Sequence, residues 1–392
     1  MTSHGLRVLL SCGEASGDLY AAALVRALRA REPHLQVSAF GGPRLEAEGA
    51  ALVGTYEGMT VTGITEALFV LRRSFAMLNR IETVARRERP DVFVAVDFPD
   101  FNFRLLPRIR ALGIPIVYYV SPQLWAWRPA RIRTIQRYVD KMLVIFPFER
   151  EIYERAGVPV EFVGHPLIEL AQADRPRDEF LRAAGLDPAR PVVALLPGSR
   201  PNEIRHVLPT ILDAMPAIAA AVPGVQFLLA RAPGLDVALF SPPTGPSARD
   251  RVQPPLVSVV SQTDNVLAAC DVAIVASGTA TVQTALHDTP MVIVYRLSPL
   301  TYMIGRRLVG VTTYGMVNLV AGRPVVTELI QDALTPGALA RETVTLLTSP
   351  ARADTMRRDL LDVKATLGGA GATERAADAV VAVARSGQRK ID

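Results

Sequence analysis

Short uninterrupted apolar runs, each ending in a loop of small residues that opens a helical stretch, recur along this chain. They fall at residues 7–10, 37–40, 92–94, 114–120, 141–146 and 160–163, and again at 192–196, 225–230, 272–275 and 291–295; a further short strand is expected near 51–53. Continuous rather than alternating apolar character marks strands covered by helices on both faces, as in a parallel sheet. The order strand, loop, helix repeats in both halves, which predicts an α/β chain of two Rossmann-like domains. A length of 392 residues suits two such domains. Residues 172–190, rich in charge and carrying Pro176 and Pro188, read as the linker. This gives a first domain over 1–171 and a second over 190–349. The chain reads as helical from 338 to 384, with a break at Gly368-Gly369-Ala370-Gly371, and the helices of 350–392 are expected to pack back on the first domain.

In open parallel sheets, ligands bind beyond the carboxyl ends of the strands. Asp97-Phe98-Pro99-Asp100-Phe101-Asn102 follows such a strand, so Asp97 and Asp100 are candidate acid–base groups. Capping the next helix is the structural alternative. The first strand leads into Gly13-Glu14-Ala15-Ser16-Gly17-Asp18, which is neither G-x-G-x-x-G nor a Walker A sequence and gives little support to a nicotinamide cofactor. Glu14 and Asp18 argue against a crowded polyphosphate and for sugar hydroxyls or one phosphate nearby, with a helix cap carrying Asp18 in its first turn as the structural alternative. In the second half, Gly198-Ser199 with Arg200, and Ser277-Gly278-Thr279-Ala280, open helices and suit a diphosphate.

Composition narrows the partners. Arginines outnumber lysines forty to three, a bias that spreads through the chain and argues against a nucleic-acid partner. Residues 104–141 hold eight basic groups against the single acid Asp140, a window suited to anionic lipid or phosphate. Cys12 and Cys270 lie far apart and show no metal-ligand spacing, which suits a reducing compartment. There is no signal-peptide pattern and no run long enough for a transmembrane helix, so a cytoplasmic chain is expected. Within 59–81, Ile64, Leu68, Leu71, Phe75 and Leu78 make one helical face for a core, while Phe69, Val70 and Met77 remain apolar off it, rimmed by Arg72, Arg73 and Arg80. That surplus resembles an interfacial membrane helix, with a second core surface or a dimer contact as the alternative. Both tryptophans, Trp125 and Trp127, sit in one loop beside Arg128, Arg131 and Arg133, placed to meet a sugar, an acyl chain or a bilayer surface.

Five motifs occur together and in order: Gly13-Glu14-Ala15-Ser16-Gly17-Asp18; Asp97-Phe98-Pro99-Asp100-Phe101-Asn102; Leu196-Pro197-Gly198-Ser199-Arg200; Ala276-Ser277-Gly278-Thr279-Ala280-Thr281; and Asn318-Leu319-Val320-Ala321-Gly322-Arg323. With them the chain resembles the lipid-A-disaccharide synthase family over nearly its whole length. The resemblance implies a GT-B fold, two Rossmann-like domains with parallel sheets facing a central cleft. It implies an inverting transfer from UDP-2,3-diacylglucosamine to the 6-hydroxyl of 2,3-diacylglucosamine 1-phosphate, without cofactor or metal, at the cytoplasmic face of the inner membrane. Agreeing with this, the sequence has no Asp-x-Asp pair. Asp100, then Asp97, is expected as the base. Ser199, Arg200, Glu203, Ser277, Gly278, Thr279 and Ala280 are expected at the UDP moiety, and Asn318 on the nucleotide or diphosphate. Gly13, Glu14, Ser16, Gly17 and Asp18 are expected to shape the acceptor pocket. Gln283 stands where the family usually has a ribose-binding glutamate, which removes a charge-assisted bond. The last helices cross back in the family, and exchange of this segment within a homodimer is compatible with the sequence. The rival readings are a UDP-sugar epimerase of similar outline, which has no use for the apolar surplus, and a non-enzymatic lipid or nucleotide carrier.

Overall fold

The computed structural model describes residues 5–57, 64–124, 129–232, 235–240, 256–297 and 314–388. The chain forms two compact units, one of Met1–Pro166 with Leu367–Asp392 and one of Leu167–Thr366.

In the first unit, β1 (Arg7–Ser11), β2 (Gln36–Gly41), β3 (Ala51–Thr55), β4 (Val92–Val96), β5 (Ile116–Tyr119), β6 (Lys141–Val144) and β7 (Val160–Phe162) form a parallel sheet in the order β3-β2-β1-β4-β5-β6-β7. β4 is buried at every position, as its unbroken apolar run requires. The winding direction reverses between β1 and β4, so the crevice of this sheet opens where their following loops part.

The second unit repeats the plan with β8 (Val192–Leu196), β9 (Gln226–Arg231), β10 (Leu256–Val260), β11 (Val272–Ala276), β12 (Met291–Tyr295) and β13 (Thr327–Ile330), ordered β10-β9-β8-β11-β12-β13. Its reversal lies between β8 and β11. Both edge strands escaped the sequence reading. β13, Thr-Glu-Leu-Ile, is half polar because an edge needs little apolar surface, and β10 follows a segment rich in proline and glycine.

Three further expectations change. The charged stretch 172–190 is not a free linker: helix Arg177–Ala183 sends Phe180 and Leu181 into the second core, and Arg177 pairs with Asp271 at 3.2 Å. Helix Pro350–Thr366, expected to pack back on the first domain, instead buries Met356, Leu360 and Val363 in the second core. The return begins only at Leu367, and helix Ala372–Gln388 packs on helix Ala15–Arg31 and on β4–β6. Ala372, Ala376, Ala377, Val380 and Ala384 are its fully buried stripe, small enough for close helix contact. Arg31 with Glu374 and Asp378, and Arg385 with Glu32, flank that stripe. Exposed pairs of this kind contribute about 0–1 kcal/mol each, so burial holds the segment and the charges set its register.

The third change concerns helix Ile64–Glu88. Its core face is Leu78, Ile81, Val84 and Ala85, whereas Leu71 and Phe75, expected inside, are 40% and 45% exposed. Met77 turns inward: a Cβ on Gly54 of β3 would lie 2.3 Å from its methyl, so it packs on the sheet rather than facing outward. Trp125 and Trp127, and the side chains of Phe69 and Val70, lie outside the described residues. No helix among the described residues is long and apolar enough to cross a membrane.

Candidate active site

Four of the five motifs fall at the two reversals, two in each unit, and the fifth, around Asn318, lies between β12 and β13. In the first unit, the loop after β1 and the turn after β4 lie side by side and are tied together by Asn102. Ser11 Oγ donates to Asn102 Oδ1 at 2.7 Å, and Asn102 Nδ2 donates to the Asp97 carbonyl at 2.8 Å. Tyr118 Oη donates to the same carbonyl at 2.8 Å, and the Asp97 N–H reaches the Tyr119 carbonyl at 3.0 Å. The backbone of Asp97 is thereby fixed on three sides.

It is fixed in an uncommon conformation. Asp97, Phe98 and Val120 adopt positive φ of 46°, 49° and 65°, and all three follow the carboxyl ends of β4 or β5. Left-handed backbone costs a non-glycine residue about 1–2 kcal/mol, and such strain collects at functional sites. The turn throws the Phe98 ring onto Phe101 and Phe40, at centroid distances of 5.4 and 6.4 Å. It also explains Gly13, where any Cβ would lie 2.0 Å from the Phe98 ring. Gly13 is glycine because an aromatic side chain of the facing turn occupies its side-chain position.

The two aspartates part company here. Asp97 is half-buried at the strand end. Asp100 sits in the first turn of helix Pro99–Arg110 with its side chain 78% exposed, ion-paired to Arg131, whose guanidinium also lies 5.0 Å over the Phe103 ring. The Cys12 thiol is pushed well above its ordinary range, first by burial and then by the charges of Asp18 and Asp97. It fills core space and is no nucleophile.

Asp18, expected in the acceptor pocket, is corrected to a structural role. It is 1% exposed and accepts the backbone N–H groups of Gly42, Arg44 and Leu45 at 2.9, 3.0 and 3.3 Å. It caps helix Pro43–Ala47 from a distance, which leaves it out of reach of a ligand. Gly17 is buried against the end of β4, while Glu14 and Ser16 are half-exposed at the start of helix Ala15–Arg31.

In the second unit the loops are eased by glycine. Gly198 has φ +124° and Gly278 φ +149°, both closed to side chains. Among the described residues nothing lies within 4 Å of where a Gly278 Cβ would be, so none of them covers the backbone there. Ser277 Oγ donates to the Tyr314 carbonyl at 2.8 Å, and Thr281 Oγ1 to the Gly278 carbonyl at 2.8 Å. Thr279 and Ala280 form the first turn of helix Thr279–Leu286. Ser199 and Arg200 are exposed just before helix Pro201–Ala221. Glu203 reaches back, its Oε2 accepting the N–H of Ser199 at 3.1 Å and of Arg200 at 3.3 Å. It braces the loop as a capping box.

Two other expected nucleotide contacts are placed differently. Asn318 is 3% exposed and its amide is fully used: Oδ1 accepts Val325 and Val326 N–H, and Nδ2 donates to the Val326 carbonyl and Glu328. An amide has two hydrogens and two carbonyl lone pairs, so none remains for a nucleotide, and the expected contact is corrected to loop bracing. Gln283 Nε2 donates to Asp264 Oδ1 at 2.7 Å, and His287 Nε2 lies 2.9 Å from the same oxygen. A carboxylate beside Gln283 was invisible in sequence because nineteen positions separate them. Asn102 was in view as part of its motif, but nothing local marked it as the clamp.

A family model described as lipid-A-disaccharide synthetase matches residues 8–382. The lipid-A-disaccharide synthase of Koribacter versatilis is 43% identical over 390 residues, covering 97% of this chain and 99% of its own. That of Myxococcus xanthus is 42% identical over 375 residues, covering 96% and 97%. Among solved structures, the UDP-GlcNAc 2-epimerase of Neisseria meningitidis bound to UDP-GlcNAc aligns with TM-score 0.67 at 12% identity, covering 96% of this chain and all of that one. CalG4, the calicheamicin glycosyltransferase, aligns at 0.57 and 18% identity, covering 97% and 98%. The structural likenesses establish the GT-B fold, which epimerases and transferases share. The sequence likeness decides between them: this chain belongs to the lipid-A-disaccharide synthase family, and is a glycosyltransferase of lipid A biosynthesis.

Proposed function

We propose that the enzyme transfers 2,3-diacylglucosamine from its UDP carrier to the 6-hydroxyl of 2,3-diacylglucosamine 1-phosphate with inversion, and that Asp97 is the general base. The observation that carries this reading is the clamp on Asp97. Three hydrogen bonds hold its backbone in a left-handed turn at the reversal of the first sheet, whereas Asp100 is exposed and paired with Arg131. An alcohol is too weak a nucleophile at neutral pH, so a carboxylate at hydrogen-bond distance takes its proton as the bond to the anomeric carbon forms. That carbon passes through an oxocarbenium-like state, and a single displacement inverts it.

Negative charge then grows on the departing UDP. In this reading Arg200 and the backbone around Gly278 meet it, supported by the exposure of Arg200 and by the absence of any described residue within 4 Å of a Gly278 Cβ. Glu203 supports this group by holding the Ser199–Arg200 loop in shape. In this reading the guanidinium and N–H groups take the part a divalent cation plays elsewhere, and Gln283 and Asp264 offer oxygens to the ribose. Peripheral attachment to the inner membrane is supported by exposed Leu71 and Phe75 beside exposed Arg72 and Arg73, with the Arg104 guanidinium 5.6 Å over the Phe75 ring.

The test is UDP release by purified protein given both lipids, with and without a chelator. Disaccharide formation that survives chelation is expected. Turnover of soluble UDP-N-acetylglucosamine without lipid, or loss of activity on chelation, overturns the reading.

A further inference from the structure

We propose that Arg131 binds the phosphate of the acceptor, and so sets the acceptor's 6-hydroxyl against Asp97. This rests on the transfer and the base proposed above. The acceptor of that transfer carries a phosphomonoester of about two negative charges at neutral pH. Arg131 belongs to the basic window 104–141, which suits such a group.

Three contacts join Arg131 to the turn of Asp97. Its guanidinium lies 5.0 Å over the Phe103 ring, that ring lies 6.2 Å from the Tyr118 ring, and the Tyr118 hydroxyl donates to the Asp97 carbonyl at 2.8 Å. Burial pushes the Tyr118 phenol up, Asp97 pushes it further and Arg131 pulls it back, so both charges act on one hydroxyl. The guanidinium is held without being used up. Phe103 takes its face and Asp100 accepts from Nη2, and among the described residues no other group accepts from it. Five N–H groups are available on an arginine. The Arg131 side chain is 24% exposed and that of Asp100 78%, so the pair is open to solvent. An exposed pair holds weakly, whereas a phosphate takes two parallel N–H bonds from an arginine. In a glucosamine 1-phosphate, the carbon bearing the phosphate and the carbon bearing the 6-hydroxymethyl arm flank the ring oxygen. The anion therefore falls on the same side of the sugar as the alcohol that Asp97 deprotonates. Asp100 keeps the guanidinium in place until the phosphate arrives.

The experiment assays Arg131→Gln and Arg131→Lys in neutral detergent, with the phosphorylated acceptor and with the same lipid lacking its phosphate. The parent is expected to lose about tenfold or more in kcat/KM when the phosphate is removed. Arg131→Gln should show that loss already with the phosphorylated lipid, mostly in KM, and little further loss without the phosphate. Its KM for the UDP-sugar and its melting temperature should stay those of the parent. Arg131→Lys, which keeps the charge but not the fork, should fall between. Equal losses by Arg131→Gln toward both lipids overturn the proposal, because the arginine then supports the turn. Parent-like acceptor kinetics with weaker binding to vesicles of anionic lipid also overturn it, assigning the arginine to membrane headgroups. Acceptor binding measured without donor keeps the two readings apart. A parent that binds the phosphorylated lipid but makes no disaccharide faults the reaction, whereas equal binding by parent and Arg131→Gln faults Arg131.

Discussion

The two sheet reversals are built from the same topology and braced in opposite ways. At the first, side chains do the bracing: Ser11, Asn102 and Tyr118 pin a turn in which Asp97 and Phe98 are left-handed without being glycine. At the second, Gly198 and Gly278 take the unusual angles, and no described residue crowds the side-chain position of Gly278. A strained turn held by several bonds fixes one side chain in one place, which suits proton transfer. A glycine loop lets backbone N–H groups come close to a ligand, which suits an anion. The difference teaches that the first unit was shaped around a side chain and the second around a main chain.

The sharpest way to break this comparison is at the aspartates. Asp97→Asn keeps the hydrogen-bonding backbone and is expected to lower kcat by about 10²–10⁴-fold, the usual range for a lost general base. Asp100→Asn is expected to change kcat less than about threefold. Steady-state UDP release on both variants decides it, and equal losses would dissolve the distinction between the two acids.

Next in size is Arg200→Ala. Removing one donor to developing charge costs about 10²-fold or more in rate, and thermal melting should move little because Arg200 is exposed.

The glycines sharpen the contrast from the other side. Gly13→Ala drives a methyl into the Phe98 ring and should disturb Asp97, lowering kcat about tenfold or more together with the melting temperature. Gly278→Ala meets no neighbour among the described residues but is strained at φ +149°, about 1–3 kcal/mol. Its loss should fall on UDP binding, measured by calorimetry, more than on acceptor KM.

The smallest effect concerns acid. Burial pushes the His165 imidazole down to about 3 from an ordinary value near 6.5. Between those values the unfolded chain binds a proton that the folded chain does not. Stability contributed by the neutral ring is therefore present above about pH 6.5 and lost as pH falls toward 3. Melting of the first unit should drop between pH 7 and 5 by the equivalent of about 1–2 kcal/mol, and a His165→Gln variant should show a shallower dependence.

The amino-acid sequence by itself determined the strand–loop–helix order, the two Rossmann-like halves and the placing of four of the five motifs just past a strand. These depend on local signals: unbroken apolar runs, small-residue loops and helix starts, all readable within about ten residues. Only the tertiary structure decided what each motif does. Ser11 and Asn102 are 91 positions apart, Asp100 and Arg131 are 31 apart, and the backbone N–H groups that occupy Asp18 lie 24 to 27 positions away. Phe180 and Leu181 looked like linker and belong to a core, while Leu71 and Phe75 looked like core and face outward. A helical period shows that a helix has an apolar face but not which stretch of it the sheet covers. An amide or carboxylate in a motif is equally silent about whether its hydrogen bonds are already spent, because its partners come from elsewhere in the chain.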